Sequence, residues 1–206
     1  MVMTHWMRTM HDAILVGIGT AINDDPQLNV RHLPHPPPKP YHLPRPIIID
    51  SQLRLPPTCK LLHNYKNGTG RRPWIISSLL TPPEHQQRRS ALETAGAKII
   101  EVPPSRVTTN RIPIASMLQI LRDSGINSLM VEGGARIINS FLGEEDTVDA
   151  LIITIAPVFV GEAGVGYRYP TLRSENGDLV ARYKEVHTEV VGRDTVVSLI
   201  PVKQNL

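Results

Sequence analysis

Apolar residues along this chain fall in short runs, and amphipathic stretches separate them. Ala13 to Gly17, Ile47 to Asp50, Trp74 to Ser77 and Lys98 to Val102 each read as a buried strand, and Ser128 to Val131 reads as the end of a fifth. Between them, Thr4 to His11 reads as the tail of a helix with Trp6, Met7 and Met10 inward. Pro82 to Ala95 carries Pro-Pro at its start and Gly96 at its end, the asymmetry expected of a helix, and Ile114 to Asp123 is a helix closed by Gly125. Arg136 to Leu142 opens another, with Ile137, Ile138 and Phe141 inward. Strands alternating with helices in this way predict a mostly parallel sheet. The ending differs. Ala150 to Val160 reads as one long apolar strand, and Tyr183 to Val191 with Thr195 to Ile200 reads as a hairpin around Gly192-Arg193-Asp194. The expected class is therefore α/β, a mixed sheet with a C-terminal antiparallel hairpin.

Composition narrows the function classes. A length of 206 residues suits one domain, 1–206, with the proline-laden stretch 32–46 as a surface insertion. Aromatic content is only 4%, so packing rests on Ile, Val and Leu. The net charge of +3 is mild, and Arg71-Arg72 and Arg88-Arg89 are the only arginine doublets, so no basic stripe for nucleic acid is expected. The charge suits an anionic small molecule. A single cysteine, Cys59, in a proline-rich turn, rules out an internal disulfide or a thiolate zinc cage. The histidines lack ligand spacing; His32 and His35 sit beside Pro34 and Pro36 and read as loop residues, so no metal is expected. No apolar run reaches membrane-spanning length and the amino terminus lacks an apolar signal core, so a cytoplasmic protein without membrane partners is expected.

Two polar clusters stand out. Glu132-Gly133-Gly134-Ala135-Arg136 joins a buried strand to a helix, which lets backbone approach a ligand and turns free N–H groups toward an anion. The motif alone reads equally as a tight turn with no ligand. Upstream, Gly17 to Arg31 follows the first strand, with Thr20 and Asp24 one helical turn apart and Arg31 a planar donor for phosphate. Asp25-Pro26 reads better as a structural turn. Gly17-Ile18-Gly19 lacks the third glycine of the dinucleotide fingerprint, so that fold is not inferred.

Taken in order, residues 11–20, 24–31, 49–51, 131–136 and 156–161 resemble the riboflavin-pathway reductases. More narrowly they resemble the fungal-type 2,5-diamino-6-ribosylamino-4(3H)-pyrimidinone 5′-phosphate reductases, similar to the reductase half of the bacterial bifunctional enzyme. The likeness runs from Met3 to Ile200 and keeps motif order. It implies a dihydrofolate-reductase-like fold with helices on both sheet faces, a homodimer, and NADPH-dependent reduction of the ribosylamino side chain to the ribitylamino form. It also implies cofactor contacts at Thr20, Asp24, Ser51 and the run Gly134 to Ser140, with Gly133, Gly134, Ala135, Arg136 and Ile137 at the helix start. Arg8, Leu28, Arg31 and Glu132 match substrate contacts, and Glu132 is the candidate catalytic residue; a carboxylate serving only the helix dipole is its rival reading. In this chemistry the ring-closed aminoglycoside opens to an imine whose C1′ accepts hydride.

Other readings remain open: a pteridine or folate reductase, or an inactive cofactor-binding or dimerisation module. A deaminase is not expected, since a chain with one cysteine cannot hold the Cys-x-x-Cys half of the zinc signature. Resembling proteins open with an extra strand, an apolar run then Ser-x-Asp-Gly, ahead of the helix that enters here at Met3. The expectation is that this chain alone oxidises NADPH weakly or not at all.

Overall fold

The computed structural model describes residues 2–34, 40–78, 83–103, 112–144, 146–162, 164, 166 and 182–202. The chain divides into two compact units, Met1–Ile138 and Asn139–Leu206.

The first unit is built on five parallel strands: β1 (Ala13–Gly17), β2 (Arg45–Ile49), β3 (Trp74–Ser78), β4 (Lys98–Val102) and β5 (Leu129–Val131). Their order is β4-β3-β2-β1-β5. The helices are α1 (Val2–Thr9), α2 (Ile18–Asp24), α3 (Lys60–Lys66), α4 (Gln86–Thr94), α5 (Ile114–Asp123) and α6 (Ala135–Gly143), which crosses the unit boundary. β1 is buried along its whole length because it pairs on both edges, with β2 and β5. Side chains alternate across the sheet. Ile14, Val16, Ile48 and Ile75 pack on one face with Leu61 and Leu62 of α3 and Leu92 of α4. Each such side chain contributes about 1.5–3 kcal/mol by leaving water.

Polar groups fasten the amino ends of the strands. The Asn127 and Ser128 amides donate to Asp12 Oδ2, and the Asp12 amide donates to Ser128 Oγ, which joins the starts of β1 and β5. These donors, the Asn127 amide first, hold the Asp12 carboxyl below its ordinary pKa. Trp74 is buried between the Arg45 guanidinium, 4.5 Å from the ring centroid, and the Lys98 ammonium, 4.2 Å away.

The second unit carries β6 (Leu151–Ile155), β7 (Tyr183–Val191) and β8 (Asp194–Pro201), antiparallel in the order β6-β8-β7. Gly192, at φ +68°, takes the left-handed conformation that the β7–β8 turn needs. About half of this sheet's apolar side chains are exposed, including Ile153, Ile155 and Val190.

The parallel order and the hairpin are as the pattern predicted, and the described antiparallel strands form a sheet of their own. Several local expectations need correction. The Ala150–Val160 strand stops at Ile155, because Pro157 cannot donate to a ladder. The stretch after Gly17, given no element above, is the helix α2, and a second helix not expected, α3, follows Cys59, which is its buried N-cap residue. Of the expected Pro82–Ala95 helix, Pro82 lies outside the described residues, Pro83–His85 is a 3₁₀ turn and α4 follows it. In α1 the buried side chain is His5, whereas Trp6 and Met10 are exposed. Of the 32–46 segment, Arg45 and Pro46 belong to β2, and residues 35–39 lie outside the described residues.

Candidate active site at the carboxyl edge of the parallel sheet

The carboxyl ends of β1 and β5 lie side by side, and each runs directly into a helix. At β5 the chain leaves the sheet through Glu132, whose amide donates to Leu15 O, then turns through Gly133 and Gly134 at φ +67° and +76°. Side chains rarely adopt that conformation, so glycine is required at both positions. Space demands it as well. A Cβ on Gly133 would stand 3.3 Å from Thr20 Cγ2, and one on Gly134 3.0 Å from Thr20 Oγ1. The α6 amides open immediately afterwards, so their positive end faces the same edge. At β1, Gly17 lets α6 approach: a Cβ there would come 2.7 Å from Ile137 Cγ1.

Helix α1 ties two loops to this junction. Arg8 donates from Nε to Glu132 Oε1 at 2.9 Å and from Nη2 to Glu132 Oε2 at 2.6 Å, a bidentate pair with 12% and 20% side-chain exposure. Its Nη1 donates to the Asn29 carbonyl at 2.9 Å. One turn earlier, His5 accepts the Arg31 amide at Nδ1, 3.0 Å away, and is only 5% exposed. Burial lowers the His5 pKa, and the Arg8, His32 and Arg31 charges add to that; the neutral ring is the form that accepts at Nδ1. Residues 29–31 and residue 132 are thus brought together, although about a hundred positions separate them.

The sequence-derived residues fall in recognisable places. Thr20 lies beneath the two glycines, Asp24 is exposed at the end of α2, and Ser51 follows β2 at the same sheet edge. Ala135, Arg136 and Ile137 open α6, and Ser140 lies further along it. Leu28 is buried at φ +49°, while Arg31 is exposed. Asp25 is a structural staple, its Oδ1 accepting the Lys60 amide at the start of α3. The residue that sequence reasoning missed is His5, for which the available signal was its placement three residues before Arg8 on one helix face. Asp50 and Ser77 were also missed. Both are fully buried near the carboxyl ends of β2 and β3, and burial raises the Asp50 pKa.

Comparison with known proteins agrees with this geometry. The structure of the Saccharomyces cerevisiae riboflavin biosynthesis reductase Rib7 aligns over 98% of this chain and 80% of its own, with a TM-score of 0.75 and 27% identity. Acinetobacter baumannii RibD aligns over 98% of this chain and 50% of its own with a TM-score of 0.73, a likeness of fold at 24% identity. The fold is therefore dihydrofolate-reductase-like, as expected. The pattern described as RibD C-terminal domain matches residues 2–197, and this chain belongs to that family. Among its relatives, the Debaryomyces hansenii 2,5-diamino-6-ribosylamino-4(3H)-pyrimidinone 5′-phosphate reductase is 36% identical over 79% of this chain and 65% of its own. The Aquifex aeolicus riboflavin biosynthesis protein RibD is 32% identical over 94% of this chain and 47% of its own. The chain thus spans just under two thirds of the length of the fungal relative. Among the described residues, no helix is long and apolar enough to cross a membrane.

Proposed function

We propose that this chain is a single cytoplasmic reductase domain, 1–206 with an insertion that ends before β2, that works as a homodimer. It uses NADPH to reduce 2,5-diamino-6-ribosylamino-4(3H)-pyrimidinone 5′-phosphate to the ribitylamino form. The observation that carries the reading is the Arg8 clasp, which joins the Asn29–Arg31 loop to Glu132 beside two left-handed glycines. Family membership and the names of the relatives support the same reading.

The residues present fit a dinucleotide. Gly133 and Gly134 leave open the space that a Cβ would fill over Thr20, and the α6 amides face it. With Thr20, Asp24, Ser51, Ala135, Arg136 and Ile137, they would hold the cofactor. When bound, the cofactor supplies the hydride. Arg31 is the exposed cation for the substrate phosphate, since its guanidinium makes no hydrogen bond or ion pair among the described residues. Arg8 has three donor contacts committed and keeps two N–H groups for substrate; its larger work is positioning. Leu28 supplies an apolar wall. Glu132 is the candidate acid–base group, and both its oxygens already accept from Arg8. Substituting Glu132→Gln separates the roles: unchanged turnover would remove it from proton transfer.

The homodimer rests on the second unit, where Ile155, Val158, Val160 and Val190 are at least half exposed and Phe159 is wholly so. Sedimentation velocity tests it; a monomer at micromolar concentration would count against it. For the reaction, NADPH deuterated at the transferred position is incubated with the pyrimidine substrate. Deuterium in the product's sugar chain, found by mass spectrometry, is the expected result. NADPH binding without label transfer would favour the inactive cofactor-binding module.

A further inference from the structure

We propose that His5 is the positioning residue for Arg31, and that a proton on its ring releases Arg31 from the place where it meets the substrate phosphate. The inference rests on the reductase reading above and adds the group that holds its substrate cation.

The loop from Asp25 to His32 needs holding. Asp25, Leu28 and His32 stand at φ +39°, +49° and +61°, a conformation that side chains rarely adopt, so local backbone preference opposes the path of this loop. Contacts with neighbouring elements impose it. Asp25 is fixed by the Lys60 amide, and Asn29 by Arg8 at its carbonyl and by its side-chain amide, which donates to Thr69 O. Beyond Asn29 the hold passes to His5. Its Nδ1 accepts the Arg31 amide at 3.0 Å, the one hydrogen bond of Arg31 among the described residues. The His5 ring is buried, and the His32 ring packs edge-on against it, with centroids 5.3 Å apart at 72°. Arg31 itself is exposed, so the amide held by His5 sets where its side chain leaves the loop.

Protonation undoes this contact. A protonated ring carries N–H on both nitrogens, so Nδ1 would meet the Arg31 amide donor to donor. The new charge would also stand among cations: Arg8 one turn along α1, and Arg31 and His32 on the loop. Glu132, the acid at this junction, already has both oxygens on Arg8. Burial first, then the charges of Arg8, His32 and Arg31, keeps the ring below the ordinary histidine pKa, against a smaller pull from the Asn29 carbonyl. The anchor is therefore complete at neutral pH and is lost as the pH falls through that lowered value.

The test follows steady-state turnover and hydrogen exchange at the Arg31 amide in wild type, His5→Asn and His5→Ala, from about pH 8 to about pH 5. Melting temperatures mark the range in which each protein stays folded. Asparagine keeps an acceptor near the Nδ1 position without titrating, so it also reports the substrate phosphate's own titration, whose second pKa is about 6. At neutral pH, His5→Ala should raise KM about 3- to 10-fold with kcat within about twofold, and His5→Asn should restore it. Protection of the Arg31 amide should fall in His5→Ala, and in wild type it should fall with the pH. In acid, wild-type KM should climb about 3- to 10-fold beyond that of His5→Asn. Parallel pH profiles for wild type and His5→Asn, down to the lowest pH at which both stay folded, overturn the proposal. So does wild-type protection at Arg31 that ignores pH, or an unchanged KM in His5→Ala. If wild type turns over no substrate, the reductase reading fails separately, and exchange at the Arg31 amide still decides the anchor.

Discussion

Replacing Arg8 by alanine removes three donor contacts at once, and the structure sets the size of the effect. Glu132 would keep a carboxylate only 20% exposed with no cation beside it, and the Asn29 carbonyl would lose its partner. Breaking a fully buried pair costs about 3–5 kcal/mol and an exposed one about 0–1 kcal/mol. Side-chain exposures of 12% and 20% place this pair nearer the buried limit, so about 2–3 kcal/mol is expected. For a chain of this size that lowers the melting temperature by roughly 4–12 °C. The discriminating assay is a double-mutant cycle with Glu132→Ala, read by urea unfolding. The coupling energy should be about 2 kcal/mol, and amides of residues 29–31 and 132–134 should exchange faster in Arg8→Ala. A coupling below about 0.5 kcal/mol would refute the clasp as the element joining the two loops.

Asp12→Asn tests the amino-edge tie. Because the folded Asp12 carboxyl titrates lower than it would in an unfolded chain, its contribution is present above pH about 4 and fades as the pH falls through the folded value. The variant should lose about 1–2 kcal/mol at neutral pH and converge with wild type in acid; a constant difference down to the lowest folded pH would contradict it. Gly17→Ala should cost about 1–3 kcal/mol through the collision with Ile137 Cγ1, and in an Ile137→Ala background, which lacks that atom, the same substitution should cost less by thermal melt. An additive loss in the double variant would show that the contact is not the cause.

The parallel strands were readable because each is a short apolar run, and β1 in particular contains no polar residue to place outside. The β5–α6 junction was readable because Gly133-Gly134 separates the apolar run ending at Val131 from the amphipathic run that opens at Arg136. Helix α2 was hidden by Gly17, Gly19 and the polar residues after them, which give no clear apolar period; Ala21 is its buried residue. His5 and the Arg8 clasp were invisible as contacts, since their partners lie 26 and 124 residues away. The exposed apolar side chains of the second unit could not be anticipated either, because apolar alternation predicts burial and does not name the covering surface.

The most direct test of the central claim is calorimetric titration of NADPH into wild type and Gly134→Ala. In the variant, the left-handed backbone and the 3.0 Å approach to Thr20 Oγ1 both oppose a methyl group at the turn proposed to hold the pyrophosphate. One saturable site per chain in wild type, weakened at least about 10-fold in a variant that still folds, is the expected result. NADPH that fails to bind wild type, or binds both proteins equally, would contradict the placement of the cofactor at this edge of the sheet.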